Sequence, residues 1–194
     1  MRKRAIASLI LVSLAALLWT GCSTPRSSEA LGISRARASI ARVVSGQTVE
    51  VLTEGEAATR PVRLAGLNAP DLGQLPWGPD AKRHLEGLLL QQSVILEPAG
   101  MDPYGRQIAY LWLDNQLINE TLIALGQAMA SDTAPEPASL RRGNSAIDQH
   151  ASPQYTHRLA HAQHRARLLG LGIWDPAAPM RQTPVEFRQQ SSSP

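Results

Sequence analysis

With 194 residues the chain has room for one domain of ordinary size plus terminal extensions, and 43% hydrophobic against 18% charged residues excludes a disordered chain. The formal charge of +3 is mildly basic, which favours partners that carry phosphates but falls short of the dense Lys/Arg face of a dedicated duplex-DNA binder. Cys22 is the single cysteine, so no disulfide can form within the chain.

At the amino terminus Arg2, Lys3 and Arg4 precede an apolar run from Ala5 to Leu18, too short to span a bilayer comfortably and followed by small residues, as in a secretory signal. The run ends Leu18-Trp19-Thr20-Gly21-Cys22, which resembles a bacterial lipoprotein signal. The resemblance implies that residues 1–21 are cleaved and that Cys22 becomes the lipidated amino terminus, a firm membrane anchor. Trp19 stands where such signals usually carry Leu, and an ordinary secretory signal cut near Gly21 is the alternative. Ser23 in place of Asp after the cysteine implies the periplasmic side of the outer membrane. Residues 22–37, rich in Ser, Ala and Arg, read as a tether.

Structure is expected from Ala38. Ile40, Val43, Val44, Thr48, Val49 and Val51 form two β-rich runs divided at Ser45-Gly46-Gln47, and a third run, Pro61 to Leu67, follows a Glu54-Gly55 turn. This predicts an antiparallel meander. Gly78-Pro79-Asp80 signals a helix with Pro at its first position, and Ala81, Leu85, Leu88 and Leu89 supply one apolar stripe. Ser93 to Glu97 reads as a fourth strand, Asp102-Pro103-Tyr104-Gly105 as a turn, and Gln107 to Leu113 as a fifth strand. A second helix from about Leu117 carries Ile118, Leu122 and Leu125 and ends at Gly126.

Residues 131–152 contain Pro135, Pro137, Arg141, Arg142 and Gly143 without any period, which predicts a long loop, functional or mobile. Ser152-Pro153 opens a third helix with Tyr155, Leu159, Ala162, Ala166 and Leu169 on one face. His157, His161 and His164 cluster opposite with metal-ligand spacing, but no carboxylate joins them, and the face reads as solvated. Gly170 ends the helix, Trp174 is expected to fold back on the core, and residues 176–194 read as a disordered tail. The pattern predicts an α+β domain over 38–175: a five-stranded Greek-key OB-fold barrel with three helices.

Functional groups concentrate in Val62 to Asp71, Val-Arg-Leu-Ala-Gly-Leu-Asn-Ala-Pro-Asp. Pro70 ends the strand, so Arg63 on it and Asn68 and Asp71 just beyond it could converge on a bound ion. A surface strand ending in a turn is the plainer reading.

Five segments in order, Val44-Ser-Gly-Gln-Thr48, Arg63-Leu-Ala-Gly-Leu-Asn-Ala-Pro-Asp71, Gly78-Pro-Asp-Ala81, Asp102-Pro-Tyr-Gly-Arg106 and Ile118-Asn-Glu-Thr-Leu122, closed by Leu171-Gly-Ile-Trp174, resemble the staphylococcal nuclease (thermonuclease) family. The resemblance implies an OB-fold and cleavage of DNA and RNA phosphodiesters with one calcium ion. Two aspartates then hold the metal, a glutamate handles the water, and two arginines steady charge on the phosphate. Residue by residue, Arg63 and Arg106 keep the arginines and Tyr104 the tyrosine expected against substrate, whereas Gln47 and Asn68 stand at the metal aspartates and Asp71 at the glutamate. The family's tyrosines after the second helix are replaced by Ala130, Ser131 and Asp132. Losing two anions weakens calcium binding, and the shorter arm of Asp71 withdraws the catalytic carboxylate. The expectation is therefore a phosphate- or nucleic-acid-binding domain of the envelope with weak or no cleavage. The alternatives are a working phosphodiesterase with a rearranged site, in which Asp71 together with Asp102 or another nearby acid recruits the metal, and a structural module whose barrel surface contacts other envelope proteins, with Arg63 and Arg106 pairing with Asp71, Asp102 or a loop carboxylate to brace the barrel.

Overall fold

The computed structural model describes residues 35–131 and 153–191. The signal segment, Cys22, nearly all of the tether, and the loop with Arg141 and Arg142 lie outside the described residues.

Three strands, β1 (Ala36–Ser45), β2 (Thr48–Thr53) and β3 (Arg60–Leu64), form the expected meander. A register shift between Ile40 and Arg42 puts Ala41 and Arg42 outside in succession and returns Val43 to the core, so the buried alternation Ala38, Ile40, Val43 skips a beat at the bulge. After β4 (Leu67–Asn68) and helix α1 (Trp77–Leu89), β5 (Ser93–Met101) returns alongside β1. β6 (Gln107–Leu113) then pairs antiparallel with β5 and parallel with β3 through Val62↔Gln107, Arg63↔Ile108 and Leu64↔Ala109. That last pairing closes five strands into an OB-type barrel around Val49, Val62, Leu64, Leu96 and Leu111. The first strand begins two residues earlier than expected, and Arg35 just before it pairs with Glu97 at 2.7 Å, so the end of the supposed tether belongs to the domain.

β7 (Gln116–Leu117) leads into α2 (Ile118–Ala124), and β8 (Met129–Ala130) pairs with β4. Asn119, fully buried at the start of α2, donates to the Ala65 carbonyl at 2.8 Å and accepts from the Leu111 amide at 2.9 Å, which ties the end of β3 to β6. Helix α1 buries Ala81, Leu85 and Leu89 of the expected stripe, with Leu88 partly buried and Gly78 buried in addition, but starts at Trp77. Pro79 thus falls inside the first turn, where its missing N–H is not needed. In α3 (Pro153–Leu168) Tyr155, Leu159, Ala162 and Ala166 are buried and the three histidines exposed; Leu169 lies beyond the helix and is exposed.

A fourth helix, α4 (Pro184–Ser191), replaces the expected frayed tail. Its start is a capping box: Thr183 N–H donates to Glu186 Oε2 at 2.8 Å and Glu186 N–H to Thr183 Oγ1 at 3.2 Å, with Pro184 at the first helical position. Hydrogen bonds from the Thr183 N–H and the Thr183 hydroxyl, each 2.8 Å to Oε2, hold the Glu186 carboxyl below its ordinary range. The segment before the helix is fixed by Met180 N–H donating to the Ile173 carbonyl at 3.0 Å, and Ile173, rather than the flanking Trp174, is the residue buried here. Trp174 lies under the Arg167 guanidinium, 4.2 Å from its ring centre.

Candidate functional site

Four of the expected residues meet where β2, β3 and β4 converge. Gln47, in the β1–β2 turn, lies beside β3, because Thr48 pairs with Arg63 and the Gln47 carbonyl accepts from Leu64 N–H at 2.9 Å. Its side chain turns onto the backbone: Oε1 accepts the Ala69 N–H at 3.0 Å. Arg63, 4% exposed, donates through Nη2 to Asn68 Oδ1 at 3.0 Å and to the Leu67 carbonyl at 3.4 Å. The β4–β8 ladder, Asn68 opposite Met129, holds the backbone that presents Asn68.

Two glycines from the sequence segments let the elements approach this closely. A Cβ on Gly46 would lie 2.7 Å from the Ala81 Cβ and 3.0 Å from that of Ala69, so α1 rests directly on the turn bearing Gln47. On Gly78 it would lie 1.9 Å from the Asp71 carbonyl oxygen, a collision with backbone. Asp71 is thereby set by the first turn of α1, and its N–H is fixed by Gln74 Oε1 at 3.0 Å.

Arg106 lies at the β5–β6 turn, two residues before the Ile108 that pairs with Arg63. Asp102 organises that turn, its Oδ1 accepting the backbone N–H groups of Tyr104 and Arg106 at 2.9 Å each and its Oδ2 the Arg106 Nε at 2.6 Å. Burial opposes ionisation of Asp102, but the hydrogen bonds from Arg106 and Tyr104 and the Arg106 charge outweigh it and hold the carboxyl below its ordinary range. The fully enclosed Asp102 carboxylate is therefore engaged by its own turn, and Arg106 is braced by it while keeping 29% of its side chain exposed. The Arg106 guanidinium lies 5.4 Å from the ring centre of Tyr104, itself 79% exposed.

One member of the site has no counterpart among the expected residues. Arg188 of α4 reaches back to Asp71, Nη1 to Oδ2 at 2.9 Å, and to Asn68, Nη2 to Oδ1 at 3.4 Å. The Thr183-x-x-Glu186 capping box was the signal in the sequence that a helix begins here; nothing local points to where it docks.

A resident calcium ion does not fit this donor set. Calcium takes six to eight hard oxygens, and its affinity rises with their charge. Here one carboxylate, Asp71, joins two neutral amides, and Gln47 Oε1, Asn68 Oδ1 and Asp71 Oδ2 already accept N–H groups from Ala69, Arg63 and Arg188. Among the described residues no three of His, Cys, Asp and Glu come together.

Comparisons with known proteins agree with this fold. The family model described as staphylococcal nuclease homologue matches residues 61–176. A protein of Haemophilus influenzae named "Uncharacterized endonuclease" is 28% identical over 153 residues, 78% of this chain and 72% of the relative. The "Thermonuclease" of Staphylococcus hyicus is 28% identical over 142 residues, 70% of this chain and 73% of the relative. The match begins on β3, runs through the Arg63–Asp71 segment and the Asp102–Arg106 turn, and ends just past Trp174, covering more than half of the sequence: the chain belongs to the staphylococcal nuclease homologue family.

Proposed function

We infer that this domain binds the phosphodiester backbone of nucleic acid, or another phosphate-bearing ligand, through Arg63 and Arg106, and that its calcium-dependent cleavage is largely or wholly gone. The observation that supports it is the fate of the two amides: where the family resemblance calls for carboxylates, Gln47 spends its oxygen on the Ala69 N–H and Asn68 on the Arg63 guanidinium. An amide oxygen presents a dipole where a carboxylate presents a charge, and both are already used to build the site. The guanidinium of Arg63, nearly buried and held by two acceptors, gives up little side-chain freedom when it meets a phosphate. Tyr104, exposed beside Arg106, offers a ring face against which a base or sugar can lie. The amino-terminal Lys/Arg-apolar-Cys22 pattern supports anchoring of the protein by lipid in the bacterial envelope.

A second reading, an active nuclease, is favoured by the names of the relatives, "Thermonuclease" and "Uncharacterized endonuclease". In that reading Asp71 must shed Arg188 before it can accept a proton from water. Incubation of the protein with single-stranded DNA and RNA over a calcium series decides between them. Binding without turnover, weakened by Arg63→Ala with Arg106→Ala and falling with salt, is the expected result. Turnover that Arg63→Ala abolishes would establish the nuclease instead.

A further inference from the structure

Arg188 is placed by contacts that do not involve its own charge. Gln74, 5% exposed, is the link: its Oε1 accepts the Asp71 N–H at 3.0 Å and its Nε2 donates to the Gln182 carbonyl at 3.0 Å, so one carboxamide fixes both Asp71 and the approach to α4. The Phe187 ring packs on the backbone of Gly73, where a Cβ would lie 3.3 Å from its Cζ. The next residue, Arg188, then falls on Asp71 Oδ2 and Asn68 Oδ1, and Asn68 Oδ1 is the same oxygen that accepts Arg63. Two guanidinium groups are thus gathered around one neutral oxygen, against the repulsion of like charges a few ångströms apart.

We propose that Arg188 is a third phosphate-binding guanidinium of this site and stands as a built-in cation between Asn68 and Asp71, so that a phosphate group is held by cations of the chain itself with no divalent metal. The proposal rests on the phosphate-binding reading of Arg63 and Arg106. It explains why an amide suffices at 68: a guanidinium N–H bonds well to a neutral oxygen, whereas a divalent ion asks for anions. It also gives Asp71 a different role, that of an internal competitor. Its carboxylate pairs with Arg188 while both remain about a third exposed, an arrangement loose enough for an incoming phosphate to displace.

The test uses the full-length chain in detergent micelles, with a fluorescein-labelled oligothymidylate carrying a 5′-phosphate, its anisotropy read in EDTA, and inorganic phosphate as competitor. Binding in EDTA is expected, weakened about tenfold or more by Arg188→Ala and partly restored by Arg188→Lys. Asp71→Asn is expected to tighten it several-fold, since Arg188 then loses its carboxylate competitor; a residue that merely pins α4 would give no such gain. Unchanged or tighter binding by Arg188→Ala, with Arg63→Ala and Arg106→Ala still weakening it, overturns the third guanidinium and leaves the phosphate site standing. If Arg63→Ala with Arg106→Ala changes nothing, the phosphate reading falls and this proposal with it.

Discussion

Replacing Gln47 and Asn68 together by aspartate should give the protein a measurable calcium affinity. Each change puts a full negative charge where an amide oxygen now sits. At about 4 Å and an effective dielectric of about 20, a unit charge attracts a divalent ion by about 8 kcal/mol, most of which is returned as carboxylate and ion lose water. A net gain of about 1–3 kcal/mol per site remains, or about a thousandfold in affinity for the pair. Two features of the structure limit it. The Arg188–Asp71 pair, 36% and 34% exposed, must open, which costs about 0.2–1 kcal/mol. Adding Arg188→Ala should therefore improve affinity by a further several-fold. Shortening Gln47 by a methylene also withdraws the acceptor from the Ala69 N–H, and an unsatisfied amide in this buried backbone costs about 1–3 kcal/mol. The metal-free double variant should accordingly melt about 2–4 °C lower per kcal/mol lost, and calcium should restore it. Isothermal titration calorimetry with calcium, and melting curves over a calcium series, measure both effects. Equal calcium affinity of wild type and double variant would refute the reasoning, because it would mean that 47 and 68 do not face one ion.

Two further outcomes follow from the neighbouring elements. The Asp102 carboxyl titrates lower in the folded chain than in the unfolded one, so its contribution is complete above the unfolded carboxylate range and is lost as pH falls through the lower, folded value. Acid unfolding should therefore show a stability loss below about pH 4 that Asp102→Asn removes, and an identical pH profile in the variant would contradict the assignment. Gly78→Ala forces a Cβ into the Asp71 carbonyl and should cost about 2 kcal/mol or more, read by urea denaturation, while Gly87→Ala, whose Cβ meets no atom within 4 Å, should not destabilise α1.

The strands, the apolar stripes of α1 and α3 and the barrel class were legible because each depends on neighbours within a turn or two: Ala81, Leu85 and Leu89 define a buried face wherever the helix is placed. The family segments were legible for a related reason, since a side chain on Gly46 would meet the Cβ atoms of Ala81 and Ala69, one on Gly78 would meet the backbone of Asp71, and Asn119 stands where two strands need one amide between them. The Arg106–Asp102 pair was among the pairings open to the sequence, but what Arg63 and Asp71 bond to was not legible. Arg106 meets Asp102 four residues away, but Asp71 meets Arg188 across 117 positions, through a helix whose own start is encoded by Thr183 and Glu186 and whose docking depends on Gly73 and Gln74. Periodicity and capping act along the chain, and so the sequence by itself determined the elements. Pairing between charges depends on which surfaces the closed barrel brings together, and only the folded chain decides that.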